Sequence, residues 1–412
     1  MKSFKIYSFF SNTKMLVGVV GKPNVGKSTF FKALTLADVE IANYPFATIK
    51  PNHGIGFARV EAVCKEFDTQ CNPREGFCTG ETRFVPIDVI DVAGVVPGAH
   101  EGKGMGSQFL NDLNQADALI HVIDCAGTTN EKGESVPAGS YDPINDIKFL
   151  EEELDYWYLN ILKHGWEKIA RQAQQESREV EKAIEKQMSG VGVTEEIAKR
   201  IVNQLDYERK VPAVWTEAQL FRLAQEFRKE TKPMIIVANK IDIPVAAENL
   251  ERLKKEFPEL TIIPCSAESE LGLREAAKHK MIDYVQGNKS FNITGDLNDK
   301  QKAGLEFIRT NILEKRPEGT GVQEVMDNVM FKILKRIAIF PGGLNNLTDQ
   351  HGNVLPDCFL MPEGSTALDF AYKIHTDLGK GFIRAIDVKS KRTVGKEHLL
   401  QHRDVVEIIS DK

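Results

Sequence analysis

The sequence predicts an α/β protein: a domain built on a mostly parallel sheet, interrupted by a helical insertion and followed by a small α+β module. Three observations carry this. The apolar runs LVGVV, VPIDVI, ALIHVID and PMIIVAN are short and lack strict alternation, which suits central strands buried on both faces. Segments of helical period, such as GKSTFFKALTLA, separate them. From about Asp146 to Glu230 the strand-like runs stop, and beyond about Arg336 short strands and turns take over.

In order, the strands expected are MLVGVVG, HGIGFARVE, TRFVPIDVIDVAG, ALIHVIDCAG, PMIIVANKID and TIIPCSAES. In the insertion, Ile147, Leu150, Leu154, Tyr158, Ile161 and Leu162 recur at helical spacing, and a break at SGVGV suggests a pair of antiparallel helices. Its interspersed charges read as a solvated helix surface. The last part holds RIAIF, a break at Gly342 and Gly343, the helix ALDFAYKIHTDLG, then FIRAIDVK, KRTVGKEHLL and VVEIIS. The expected division is therefore an N-terminal extension at 1–14, a sheet domain at 15–145 and 231–335, the helical insertion at 146–230, and the α+β module at 336–412.

A chain of 412 residues is long enough for two or three such cores. Its net charge of -6 argues against a coat of nucleic acid, though not against a local basic face. No run of about 18 apolar residues occurs, so no membrane span is expected. The opening MKSFKIYSFFSNTK is interrupted by Lys5 and has no small-residue cleavage site; Met15, at the start of the first strand, is a rival start. Six dispersed cysteines suggest a reducing cytoplasm.

The chemistry begins at GKPNVGKST, placed between a strand and a helix as a phosphate-binding loop must be. Gly21 and Gly26 let main-chain N–H groups of the loop turn toward phosphate oxygens, the helix N-terminus adds its positive end, and Lys22, Pro23, Asn24, Val25 and Thr29 complete the nucleotide-binding stretch. Lys27 would pair with β and γ phosphates, and Ser28 would ligate Mg²⁺. Asp91, in DVAG after the strand VPIDVI, sits where it can hold the Mg²⁺ shell. Asn239, Lys240 and Asp242 in NKID follow another strand; a carboxylate there accepts from the N1–H and 2-amino group of guanine, donors that adenine lacks in that place. Ser266, Ala267 and Glu268 follow TIIPC and would close over the base.

The order GKPNVGKST, NYPFATIKPNHG, DVAGVVPGAHEGKGMG, NKID and SAE resembles the Obg-related P-loop GTPases. With the helical insertion and the C-terminal segments STALDFAYKIHTDL and RTVGKEHLLQHRDVVEII, the chain is most similar to the YchF (Obg-like ATPase) branch or its archaeal and fungal sister group, which ends in a β-grasp module called TGS. The resemblance implies a Mg²⁺-dependent GTPase acting as a switch on GTP and GDP, with a ribosome or RNA as partner through the TGS-like and helical parts. It places Thr48 as the switch I residue reaching Mg²⁺ and the γ-phosphate. It makes 94–107, opened by Gly94 and carrying Gly98, Gly102, Gly104 and Gly106, a mobile switch II, against a static glycine-rich turn.

Two departures bear on mechanism. Val95 stands where Ras-like enzymes carry a glutamine, and it cannot hydrogen-bond a water. Asn24 is then a candidate ligand for a catalytic K⁺, or simply an asparagine suited to a tight loop; His100 is a candidate water-positioning group, or an exposed histidine without a role. Second, NKID is the guanine-reading form, so GTP is expected over ATP, with an ATPase and a nucleotide-regulated adaptor as alternatives. Cys64, Cys71 and Cys78 lack the close pairing of structural zinc sites; free thiols are expected, with zinc completed by His53 or a distant cysteine, or a Cys71–Cys78 disulfide, as alternatives. Arg384, Lys389, Lys391, Arg392 and Lys396 make a local cationic group suited to RNA phosphates or to a solvated hairpin.

Overall fold

The computed structural model describes residues 15–35, 52–92, 113–176 and 179–411. The expected extension at 1–14 lies outside them. Two compact units emerge, one holding Leu16–Ala33 and Val89–Val325, the other Leu34–Asp88 and Met326–Lys412. They are drawn along other lines than the expected domain boundaries.

Strands are Leu16–Val20 (β1), His53–Glu61 (β2), Phe77–Thr79 (β3), Thr82–Asp91 (β4), Ala118–Asp124 (β5), Met234–Asn239 (β6), Thr261–Pro264 (β7), Ile282–Asp283 (β8), Asn292–Ile293 (β9), Arg336–Pro341 (β10), Phe359–Pro362 (β11), Phe382–Asp387 (β12), Arg392–Val394 (β13) and Val405–Ser410 (β14). Helices are Lys27–Thr35 (α1), Ile144–Lys163 (α2), Trp166–Gln175 (α3), Val180–Met188 (α4), Glu195–Gln204 (α5), Glu217–Thr231 (α6), Ala246–Glu256 (α7), Ala267–Lys278 (α8), Asp299–Ile308 (α9), Val322–Asn328 (α10), Ala367–Ile374 (α11) and Thr376–Lys380 (α12).

In the first unit β1 pairs with β5, β5 with β6 and β6 with β7, all parallel. The end of β4 lies on the other side of β1, where Val92 N donates to Val19 O at 3.0 Å. Every residue of β5 and β6 is buried, as runs without alternation require. The chain leaves β1 for one side of the sheet and returns to its other side through β5. The carboxyl end of β1 is thus a topological switch point, where open α/β sheets bind ligands.

The helical segment packs on this sheet through one continuous core that includes Leu154, Tyr158, Leu223 and Phe227 with Ile236 and Ala238. It contains five helices, α2 to α6, rather than the expected pair. Gly165 at φ 72° ends the run after α2, Gly192 at φ 83° separates α4 from α5, and a turn starting at Pro212 precedes α6. Asp155 and Arg228 join α2 to α6 by a buried ion pair at 2.6 Å, and Tyr158 and Thr231 share a 2.7 Å hydrogen bond.

In the second unit five strands lie in the order β11-β10-β14-β12-β13, with β10 parallel to β14 and the other pairs antiparallel. Ile337, Ile339, Phe370, Ala385 and Val406 form the core between this sheet and α11. A capping box of Thr366 and Asp369 starts α11. The expected mixed α+β module is therefore present. Another core of this unit joins Val60, Val63, Cys64 and Cys71 to Phe340, Leu355 and Val405, which explains why the strands around β3 group with the C-terminal module.

His121 sits in the middle of β5 at 2% exposure, its Nδ1 without a hydrogen-bond partner. Burial, helped by the Lys22 charge, pushes its pKa down to about 3. The unfolded chain binds this proton below about pH 6.5 and the folded chain does not, so stability present above pH 6.5 is lost as pH falls towards 3. His121→Leu is expected to remove about 2 kcal/mol of the stability lost between pH 7 and 5. Urea midpoints of both proteins at the two pH values measure this; parallel acid limbs would refute it.

Candidate functional site

At the carboxyl end of β1 the loop 21–26 turns through two left-handed residues, Asn24 at φ 64° and Gly26 at φ 92°, before α1 begins. A side chain at position 26 would place its Cβ 2.3 Å from Asn239 Nδ2, so the loop needs glycine both for its backbone and for that approach. The first turn of α1 carries no acidic residue. The helix thus brings no carboxylate of its own to compete with a phosphate for these N–H groups. Lys27 and Ser28 both turn to Asp91: the Lys27 ammonium pairs with Oδ1, and Ser28 Oγ lies 3.3 Å from Oδ2. Val25 is buried, Thr29 half-buried and Pro23 exposed.

The later segments close on this loop. Asn239 Nδ2 donates to Val25 O at 2.9 Å while its Oδ1 accepts from Ala267 N at 3.1 Å, so one side chain ties loop 21–26 to the turn before α8. Lys240, itself at φ 61°, donates through Nζ to Asn24 O at 3.0 Å. Ser266 Oγ donates to Asp242 Oδ1 at 2.9 Å, and among the described residues Asp242 Oδ2 takes no hydrogen bond. Glu268 is exposed. The structure thus brings together Gly21 to Thr29, Asp91, the residues of NKID and Ser266 to Glu268. Thr48, Gly94, Val95, His100 and the switch II glycines lie outside the described residues.

Two side chains in the loop have partners that the sequence did not suggest. Lys22 turns to Asp146 Oδ1 at 2.8 Å, to Thr129 O at 2.9 Å and to the face of Tyr141, with its side chain 4% exposed. Only its main chain is left for a phosphate. Asn24 Nδ2 donates to Gly133 O at 2.8 Å, which fits the tight-loop role and leaves Oδ1 for an ion.

Sequence reasoning missed Asp124, the last residue of β5, which is fully buried. Its Oδ1 accepts from Ala126 N at 3.1 Å. Its Oδ2 accepts from Thr128 N, Thr128 Oγ1, Thr129 Oγ1 and Lys240 Nζ at 2.6–3.0 Å. One carboxylate thereby folds the loop after β5 and fixes the lysine that holds the loop after β1. An aspartate ending a buried strand beside Cys-Ala-Gly was the signal available.

Comparisons with known proteins agree with this geometry. Residues 16–155 match the family model described as 50S ribosome-binding GTPase, residues 237–342 the Obg-like GTPase YGR210-like, G4 motif-containing domain, and residues 346–410 the TGS domain. The chain is 46% identical over 396 residues to GTP-binding protein MJ1332 of Methanocaldococcus jannaschii, spanning 96% of this chain and 99% of that one. It is 35% identical over 364 residues to GTP-binding protein C428.15 of Schizosaccharomyces pombe, spanning 86% and 88%. The crystal structure of a GTP binding protein from Pyrococcus horikoshii superposes with a TM-score of 0.77 at 38% identity, covering 96% of this chain and all of that one. The chain belongs to the Obg-like P-loop GTPases, in the YGR210 and MJ1332 branch related to YchF and Obg-like ATPase 1, and carries a TGS domain.

Proposed function

We propose that this protein binds guanine nucleotides at the loop between β1 and α1 and hydrolyses GTP to GDP and phosphate, as a cytoplasmic switch docking on a ribosome or RNA. The observation that carries the reading is the convergence of Asp91, NKID and the turn before α8 on the loop 21–28, through Asp91 to Lys27 and Ser28, Asn239 to Val25 and Ala267, and Lys240 to Asn24. Main-chain N–H groups of 21–29 and the α1 N-terminus receive the phosphates, and Lys27 exchanges Asp91 for phosphate oxygens. Ser28 and Asp91 offer hard oxygen donors 3.3 Å apart, which suits Mg²⁺. When bound, Mg²⁺ neutralises charge on the β and γ oxygens.

Asp242 with Ser266, Ala267 and Glu268 reads the base. Thr48 closes from switch I and Gly94 opens switch II, both by family resemblance. Because Val95 cannot orient water, Asn24 Oδ1 holding K⁺, or a partner, completes the site and turnover is slow without it. The functional division stays the sheet domain at 15–145 and 231–335, the helical region at 146–230 and the TGS module at 336–412.

Docking is carried by the exposed Arg384, Lys391, Arg392 and Lys396 around β12 and β13, whereas Lys389 is spent on Glu66 at 2.8 Å. No helix among the described residues is long and apolar enough to cross a membrane. Relatives at about one-quarter identity are named ribosome-binding ATPases, which keeps ATP as the second reading. GTP and ATP turnover with Mg²⁺, in K⁺ and in Na⁺, tests both. GTP hydrolysis that rises in K⁺ and is lost in Lys27→Ala is expected. Preferred ATP turnover would move the chain to the ATPase reading, and state-dependent ribosome binding without turnover would make it an adaptor.

A further inference from the structure

Outside the nucleotide loop, the described residues hold one cluster of metal-ligating side chains, Cys64, Cys71 and Cys78, whose sulfurs all lie within 4.8 Å of one another. The three come from separate pieces of chain: a 3₁₀ turn at Val63–Phe67, the following loop, and β3. Asp68, left-handed at φ 51°, reverses the chain after the turn, and Thr69 N donates to Cys64 O at 3.1 Å. Cys64 and Cys71 are buried within the core around Val60 and Phe340, and all three thiols are free.

A second observation points the same way. Arg83 is Cys78's cross-strand partner between β3 and β4, so both side chains leave the same face of the sheet. It is 1% exposed. Its Nη atoms donate to the carbonyl oxygens of Leu355 and Pro356, at 3.2 and 2.9 Å, its Nε has no hydrogen-bond partner, and it forms no ion pair among the described residues. A buried guanidinium without a counter-charge is costly. Gln70 Nε2 also donates towards Cys78 Sγ, at 3.4 Å, as a group beside a metal-bound thiolate would.

We propose that Cys64, Cys71 and Cys78 bind one thiophilic divalent ion of the Zn²⁺ class, with water in the fourth position and Arg83 balancing the charge. Zn–S bonds of about 2.3 Å in a tetrahedron put sulfurs about 3.8 Å apart, so closing the cluster needs shifts of no more than about 1 Å. Three thiolates around a divalent ion leave one net negative charge, which Arg83 offsets. Binding releases the three thiol protons to solvent and changes no oxidation state. Carboxylates and histidines are absent from the group among the described residues, so three protein ligands leave an open site. The ion would clip the turn at 63–67 to β3 across the Cys64–Cys78 segment, independently of any nucleotide.

The test is titration of the reduced full-length protein with Co²⁺ and then Zn²⁺ alone. One equivalent of Co²⁺ giving a near-ultraviolet thiolate charge-transfer band, displaced by Zn²⁺, is expected. Cys78→Ser, at the least buried position, should weaken Zn²⁺ by more than the ~10–100-fold that losing an outer-shell partner costs. Cys125→Ser, outside the cluster, should leave it unchanged. Mass mapping of alkylated thiols on the wild type needs no variant to fold: bound Zn²⁺ should protect Cys64, Cys71 and Cys78 together. Absence of the thiolate band, unprotected thiols, or a Cys71–Cys78 disulfide in protein purified without reductant and unable to bind Zn²⁺ would overturn the proposal.

Discussion

Asp124→Asn is expected to lower stability by about 3 kcal/mol and nucleotide affinity by about 100-fold, although Asp124 has no assigned contact with phosphate or base. Five donors point at this fully buried carboxylate: two main-chain N–H groups, two threonine hydroxyls and the Lys240 ammonium. An asparagine keeps the shape but must aim its own N–H₂ at some of them, and it removes the counter-charge of Lys240. The threonine hydroxyls can rotate away, whereas the N–H groups of Ala126 and Thr128 and the ammonium cannot become acceptors. Bonds to charged groups contribute about 1.5–3 kcal/mol each and are not additive here, which is why the expected total stays near the cost of breaking one buried pair. Affinity follows because Lys240 holds Asn24 O and so sets the loop that receives phosphate. Denaturant midpoints and labelled GDP titration of both proteins read the two effects. Unchanged values in both would show that the network only decorates the loop.

Local pattern made the sheet and the phosphate loop legible. Buried strands read as unbroken apolar runs, and a glycine-rich turn between strand and helix leaves few alternatives to a phosphate site. Contacts between distant segments left no such trace. Lys22 looked like one more loop residue because nothing near it announces Asp146, its buried partner at the start of α2. Asp124 read only as a strand end, since the residues that demand its charge come partly from Lys240, far along the chain. Cys64, Cys71 and Cys78 carried a spacing that argued against a site. Only the 3₁₀ turn, the loop and the β3–β4 register gather their sulfurs, and register is set by packing rather than by cysteine spacing. The helical segment had the right period but the wrong count, because Gly165 and Pro212 add breaks beyond the one expected at SGVGV while the apolar spacing runs on across them. Lys389 counted as a free cation until the fold set it beside Glu66.

Asp242→Asn is expected to weaken GDP binding by about 10⁴-fold or more while leaving the fold intact, and to shift preference towards xanthine nucleotides. Asp242 is half-buried, and Ser266 already donates to one carboxylate oxygen at 2.9 Å. That bond fixes the carboxyl plane and leaves Oδ2 to accept from a base edge with two donors. Asparagine keeps the first bond through its own Oδ1 and turns the second position into a donor. Guanine then meets donor with donor, while xanthine, with a carbonyl at position 2, regains a partner. A site built around such bonds discriminates by about 10⁴–10⁵, because the mismatch strands a desolvated polar group. The same reasoning makes ADP a weak ligand of the wild type, since adenine offers neither donor. Competition of GDP, ADP and xanthosine diphosphate against one labelled nucleotide, on both proteins at matched Mg²⁺, gives all six affinities. A uniform loss for every base would mean that Asp242 braces the Ser266 turn through its hydrogen bond, and equal GDP and ADP affinity in the wild type would assign base selection to residues other than NKID.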